Sequence, residues 1–90
     1  MKKLASVLEE AISLLQDSQS TAWSHLSVKK IVEKLESEIA KAKNSKPIDA
    51  ELLRLLFAPT GDIQETAIEN GWGDEFLRIS ALVDQFTIDR

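Results

Sequence analysis

Five carboxylates, Asp62, Glu65, Glu69, Asp74 and Glu75, stand between residues 62 and 75 with no basic residue among them, and Trp72 sits in their midst between two glycines. On a helix, Asp62, Glu65 and Glu69 are spaced by three and four and so share one face. That face could hold a cation or steer and dock a basic protein, with Trp72 as an aromatic anchor. The cation reading lacks ligands, because the E-x-x-H pairs of di-iron bundles are missing and His25, the single histidine, lies far off in sequence. A plainer account also exists: acids in the first turn of a helix complement its dipole, and Asp62, Glu65, Asp74 and Glu75 all fall at expected helix starts. Trp72 has two orientations open to it, outward as a contact residue or inward as a plug between two helices.

The other reactive side chains assemble into nothing catalytic. His25 lies beside Ser24 and Ser27, but a nucleophilic pair also needs an orienting acid and an oxyanion site, and neither can be assigned. The chain has no cysteine, which excludes disulfides, thiolate zinc sites and a thiol nucleophile, and it has no tyrosine. Calcium, P-loop and dinucleotide motifs are absent, Gly71-Trp72-Gly73 being only a fragment of the last. We therefore expect a protein that is not an enzyme and takes no cofactor.

Helices must position these residues. Leu4, Val7, Leu8, Ala11, Ile12 and Leu15 recur at helical spacing over about residues 3–17. Residues 17–25 favour turns and form a connector pinned by Trp23. Ser27 is placed to cap a second helix, with Val28, Ile31, Val32, Leu35, Ile39 and Ala42 on its apolar stripe, ending near residue 43 before Asn44, Ser45 and Pro47. Asp49 should cap a third, with Ile48 stapled onto Leu53. Because Leu52-Leu53-Arg54-Leu55-Leu56-Phe57 is apolar nearly all round, this helix is expected to be the most buried. Pro59 stops it, and Thr60-Gly61 turns the chain. Asp62 and Glu65 read as a capping box opening a fourth helix through Ile63, Ala67 and Ile68, which Asn70-Gly71 ends. Asp74 should cap a fifth, built on Phe76, Ile79, Leu82, Val83 and Phe86. The fold class is all-α, a small bundle of four to five helices forming a single helical domain over residues 1–90.

At 90 residues with 43% apolar and 29% charged, the chain has the composition of a small globular domain. Charge is divided unevenly. Residues 1–45 carry seven lysines and six acids, a net of +1, and residues 46–90 carry four bases and nine acids, a net of −5. In the second helix Lys29 precedes Glu33, Lys34 precedes Glu38, and Glu38 precedes Lys41 at ion-pair spacing, which reads as a solvated face rather than a phosphate-binding stripe. No direct nucleic-acid binding is expected of a chain with net charge −4. Glu9 and Glu10 interrupt the basic, apolar start before it reaches the length of a signal peptide, and nothing approaches a membrane span; a cytoplasmic protein with no membrane contact is expected.

The segments Leu56-Phe57-Ala58-Pro59-Thr60-Gly61-Asp62-Ile63-Gln64-Glu65 and Asn70-Gly71-Trp72-Gly73-Asp74-Glu75-Phe76 resemble small uncharacterised bacterial all-helical proteins of about this length, a resemblance over the C-terminal third that implies no activity. In size, acidity and helical content the chain is also similar to the small immunity proteins that neutralise basic nuclease toxins, a similarity of class that carries no residues over. The expectation is a small acidic protein-protein interaction module, binding a basic partner through Asp62, Glu65, Glu69, Trp72, Asp74 and Glu75 as an immunity or antitoxin-like inhibitor would. The alternative is a structural homo-oligomer that shares the Leu52–Phe57 helix between subunits.

Overall fold

Leu4, Ala5, Leu8, Ala11, Ile12 and Leu15 form an apolar stripe more than about 100° wide on α1 (Lys2–Gln16), broad enough to pack against two neighbours at once. The computed structural model describes residues 2–19, 27–59 and 61–87, so Thr60 and the connector residues Trp23, Ser24 and His25 lie outside the described residues. α2 (Val28–Lys43) follows, then α3 (Ala50–Leu56), α4 (Asp62–Glu69) and α5 (Gly73–Thr87); among the described residues there is no strand. The chain is therefore all-α, as its periodicity requires, and one core cluster draws on all five helices.

α1 is the central strut. Glu9 pairs with Lys43 near the end of α2, while Gln16 and Glu36 line the opposite end of the same interhelical groove, so α2 runs antiparallel to α1. α5 is antiparallel to it as well: Ser18 meets Trp72, Glu10 meets Arg78, and Lys3 and Val7 meet Leu82 and Phe86. α3 and α4 pack on α5. Phe57, just past α3, stacks on Phe76 of α5 with ring centroids 6.3 Å apart, and Ser80 donates to the Phe57 carbonyl at 3.1 Å.

Two caps form where the side chains led us to expect them. Ser27 Oγ accepts from the Lys30 amide at 3.3 Å, and Asp49 Oδ1 accepts from the Leu52 amide at 3.0 Å. α2 closes through Asn44, whose side chain donates to the Ala40 carbonyl at 2.7 Å, and Ser45 takes the left-handed conformation at φ 56°. At the end of α4 only Gly71 is left-handed, at φ 81°; Asn70 stays at φ −105°.

Two other helices start earlier than expected, α4 by one residue and α5 by two. α4 begins after Gly61, with Asp62 as its first helical residue, so the Asp62–Glu65 capping box does not form. The cause is crowding: a Cβ on residue 61 would lie 2.9 Å from the Ala58 carbonyl oxygen, and only glycine lets the chain turn this close to the end of α3. α5 begins at Gly73, with the Phe76 amide bonded to the Trp72 carbonyl at 3.0 Å, so Asp74 lies within the first turn and does not cap. Both acids still sit where the helix dipole favours them.

α3 is not the most buried helix. Its seven residues make barely two turns and can present one side to the core, which takes Leu53 and Leu56, while Leu55 is 70% exposed.

Candidate protein-docking face

The acid-rich segment is built on α4, the Asn70–Trp72 turn and the first turn of α5, and the structure sorts its residues into different surroundings. Trp72 turns inward. It is 6% exposed, and its indole Nε1–H donates to Ser18 Oγ at 2.8 Å, while Ser18 in turn donates to the Leu14 carbonyl at 2.7 Å. A buried indole needs a partner for its single N–H, and the serine after α1 supplies one. Next to it Asn70 and Gln19 clasp reciprocally: the Gln19 amide donates to Asn70 Oδ1 and Asn70 Nδ2 donates to the Gln19 carbonyl, both at 3.0 Å. Trp72 thus locks the α4–α5 turn onto the end of α1, taking the inward of its two orientations, and is not an outward contact residue beside the acids.

The apolar groups that remain on the outside are aliphatic. Ile68 is 59% and Leu77 61% exposed. A Cβ on Gly73 would lie 4.0 Å from Ile68 Cγ1, and Leu77 follows Gly73 by four residues on the same face of α5. Ile68, Gly73 and Leu77 therefore make one apolar strip across the α4–α5 junction. Glu65 and Glu69 flank Ile68 on α4, and Asp74 flanks Leu77 on α5.

Asp62 and Glu75 stand apart from this strip. Asp62 lies about a third of a helical turn from Ile68, half-buried in the first turn of α4. Glu75 precedes Arg78 by three residues on α5 and adds to the field that raises it, while the Arg78 guanidinium binds Glu10 of α1. The Arg78 hydrogen bond holds the Glu10 carboxyl below its ordinary value against an opposing cost of burial, with the opposite charge of Arg78 adding a lesser pull. The same bond raises Arg78.

Sequence reasoning missed both ends of the strip. Ile68 reads as a core residue of α4, yet the buried positions there are Ile63, Thr66 and Ala67. Leu77 falls outside the Phe76, Ile79, Leu82, Val83 and Phe86 period, and that departure was the available signal. A second miss is Glu38. Its spacing to Lys41 reads as a solvated pair, and the pair does form at 2.8 Å, but Glu38 is only 1% exposed and its Oε1 accepts from the Asp49 amide at 2.6 Å. It is a structural clamp that holds the start of α3 against α2. The hydrogen bond from Lys41 to this carboxylate raises the lysine's pKa.

Among the described residues no group of three or more His, Asp or Glu is arranged to hold a metal ion, and no helix is long and apolar enough to cross a membrane. On this face exposed Ile68 and Leu77 stand beside Glu65, Glu69 and Asp74. No protein-family model matches the chain, and neither a curated protein nor a solved structure does.

Proposed function

We propose that the protein is a small acidic interaction module that binds a basic protein through the α4–α5 junction, in the manner of an immunity or antitoxin-like inhibitor. The observation that carries this reading is the strip of Ile68, Gly73 and Leu77 bordered by Glu65, Glu69 and Asp74. Apolar area at the centre of a contact provides affinity by leaving water, while rim charges raise the association rate and reject partners of like sign. The second half of the sequence, with its net charge of −5, adds a field of the same sign. The binding centre in this reading is aliphatic, and Trp72 supports it from below by fixing the turn between the two helices.

The test is capture from the native host's lysate on three immobilised forms: wild type, Glu65→Lys/Glu69→Lys and Ile68→Ser/Leu77→Ser. A basic protein retained by the wild type and lost from both variants, each keeping wild-type helicity by circular dichroism, is the expected result. Equal retention on all three forms would remove this surface from the function.

A further inference from the structure

At the far end of α5 lies a surface of the opposite character. Lys2, Lys3, Ser6 and Val7 of α1 and Leu82, Gln85 and Phe86 of α5 line an open groove of about 510 Å³, with half-buried Val7, Leu82 and Phe86 as its apolar walls. α1 has no acid in its first turn and carries two lysines there, in contrast to α4 and α5, each of which opens with two acids. Lysines at the positive end of a helix dipole are unfavourable there, and an anionic group from outside would relieve them. The groove therefore matches an apolar ligand that brings carboxylates, and the α4–α5 strip of this same chain is one: Ile68 and Leu77 rimmed by Glu65, Glu69 and Asp74.

The helix geometry decides how two copies would meet. Gly73 and Leu77 precede Leu82 and Phe86 by nine residues each, which is about two and a half turns. The strip and the groove thus face opposite sides of α5 and are displaced along it by about 14 Å. A molecule cannot bring its own two surfaces together. Nor can a two-fold dimer engage both at once, since that would require them on one side.

We propose that the protein self-associates head to tail, the acid-rimmed Ile68–Leu77 strip of one copy entering the lysine-rimmed α1–α5 groove of the next. The contact is heterologous, so association continues beyond the dimer into chains or rings, and it weakens with salt. The inference rests on the reading above that the strip is a contact surface, and the same strip then serves either a neighbouring copy or a basic partner, each excluding the other.

Sedimentation equilibrium at low and high salt tests it with two charge-reversed forms, Lys2→Glu/Lys3→Glu for the groove and Glu65→Lys/Glu69→Lys for the strip. The wild type should show a mass that rises with concentration and falls back toward the monomer at high salt. Each variant alone should associate at least about tenfold more weakly, since rim charges of like sign then face each other. Mixed in equal amounts, the variants should recover association by alternating along the chain, because the acidic strip of one meets the lysine groove of the other and the reversed strip and reversed groove are again of opposite sign. A wild type that stays monomeric at millimolar concentration and low salt would overturn the proposal, as would variants that associate like the wild type. A monomeric wild type whose Val7, Leu82 and Phe86 resonances shift on adding sodium decanoate would overturn it too, assigning the groove to anionic amphiphiles. If Lys2→Glu/Lys3→Glu and the wild type are both monomeric and hold the same basic protein from lysate, self-association falls and the protein-binding reading stands.

Discussion

The two ends of the sequence use helix amphipathicity in opposite ways. In the α1–α2 hairpin every large apolar side chain among the described residues is buried or half-buried, and the outer faces are polar with nearly balanced charge. The three exposed large hydrophobics, Leu55, Ile68 and Leu77, all belong to α3, α4 and α5, where the charge is −5. Leu55 and Ile68 lie on helices of seven and eight residues, too short to keep every apolar position on one stripe, whereas Leu77 lies on the 15-residue α5, off the stripe that buries Phe76, Ile79 and Val83. An amphipathic hairpin is explained by its own stability. Exposed aliphatic groups with an acidic rim are not, and this is why the functional argument belongs to the second region.

The strongest way to break this contrast is to show that the second region is merely poorly folded. Phe57→Ala should cost about 3–5 kcal/mol, because it removes the ring stacked on Phe76 at a site only 2% exposed, and urea unfolding followed by circular dichroism should show most of the domain's stability gone. A loss under 1 kcal/mol would mean that α3 and α5 are loosely joined. Glu38→Ala should cost about 1–3 kcal/mol by leaving the part-buried Asp49 amide without its acceptor; the matching readout is faster hydrogen exchange at Asp49 and Leu52 with α2 unchanged. Trp72→Phe should cost about 1–3 kcal/mol, for lost volume and the lost bond to Ser18. In a double-mutant cycle with Ser18→Ala the two costs should fall short of additive. By contrast Ile68→Ser and Leu77→Ser should each change stability by no more than about 0.5 kcal/mol, since neither is in the core. A large loss at either would turn the strip into a packing feature.

The smallest effect concerns the seam between the regions. The Glu10 carboxyl is held below its ordinary value in the folded protein, chiefly by its hydrogen bond from Arg78. A lowered folded value means that the pair's contribution is fully present above the unfolded carboxyl's pKa and is lost as pH falls through the folded one. Thermal midpoints of wild type and Glu10→Gln should therefore differ slightly at neutral pH and converge below about pH 4. With both side chains well exposed, solvent screening keeps the difference at neutral pH small.

Much of this fold can be read from residue order alone, and particular residues show where reading stops. Periods of three and four locate α1, α2 and α5 to within a residue or two, because a long helix must repeat its apolar face several times. Ser27 and Asp49 declare themselves as caps because their side chains act within four residues. Asp62 and Asp74 have the same local credentials and do not cap: the chain passes too close to the end of α3 at Gly61, and Trp72 turns inward to Ser18, 54 residues away. Glu38 is the clearest limit: nothing within one turn of it reveals that an amide 11 residues ahead will need its oxygen. The acids at 65, 69 and 74 were legible as a group, but the aliphatic centre they surround became visible only when α4 was set against α5.

The position of α1 carries a consequence for how the molecule is made. Its apolar stripe is shared between α2, the next helix to emerge during synthesis, and α5, the last, with Glu10 and Arg78 separated by 68 residues and Ser18 and Trp72 by 54. The α1–α2 hairpin can close early, since its loop is short and costs little entropy. Half of the stripe must then wait in water until α5 has been translated and can cover it. From the end of α2 until α5 is made the nascent chain is an incomplete hairpin with an open apolar side, and the short helices α3 and α4 are the tether that brings the closing element back across it.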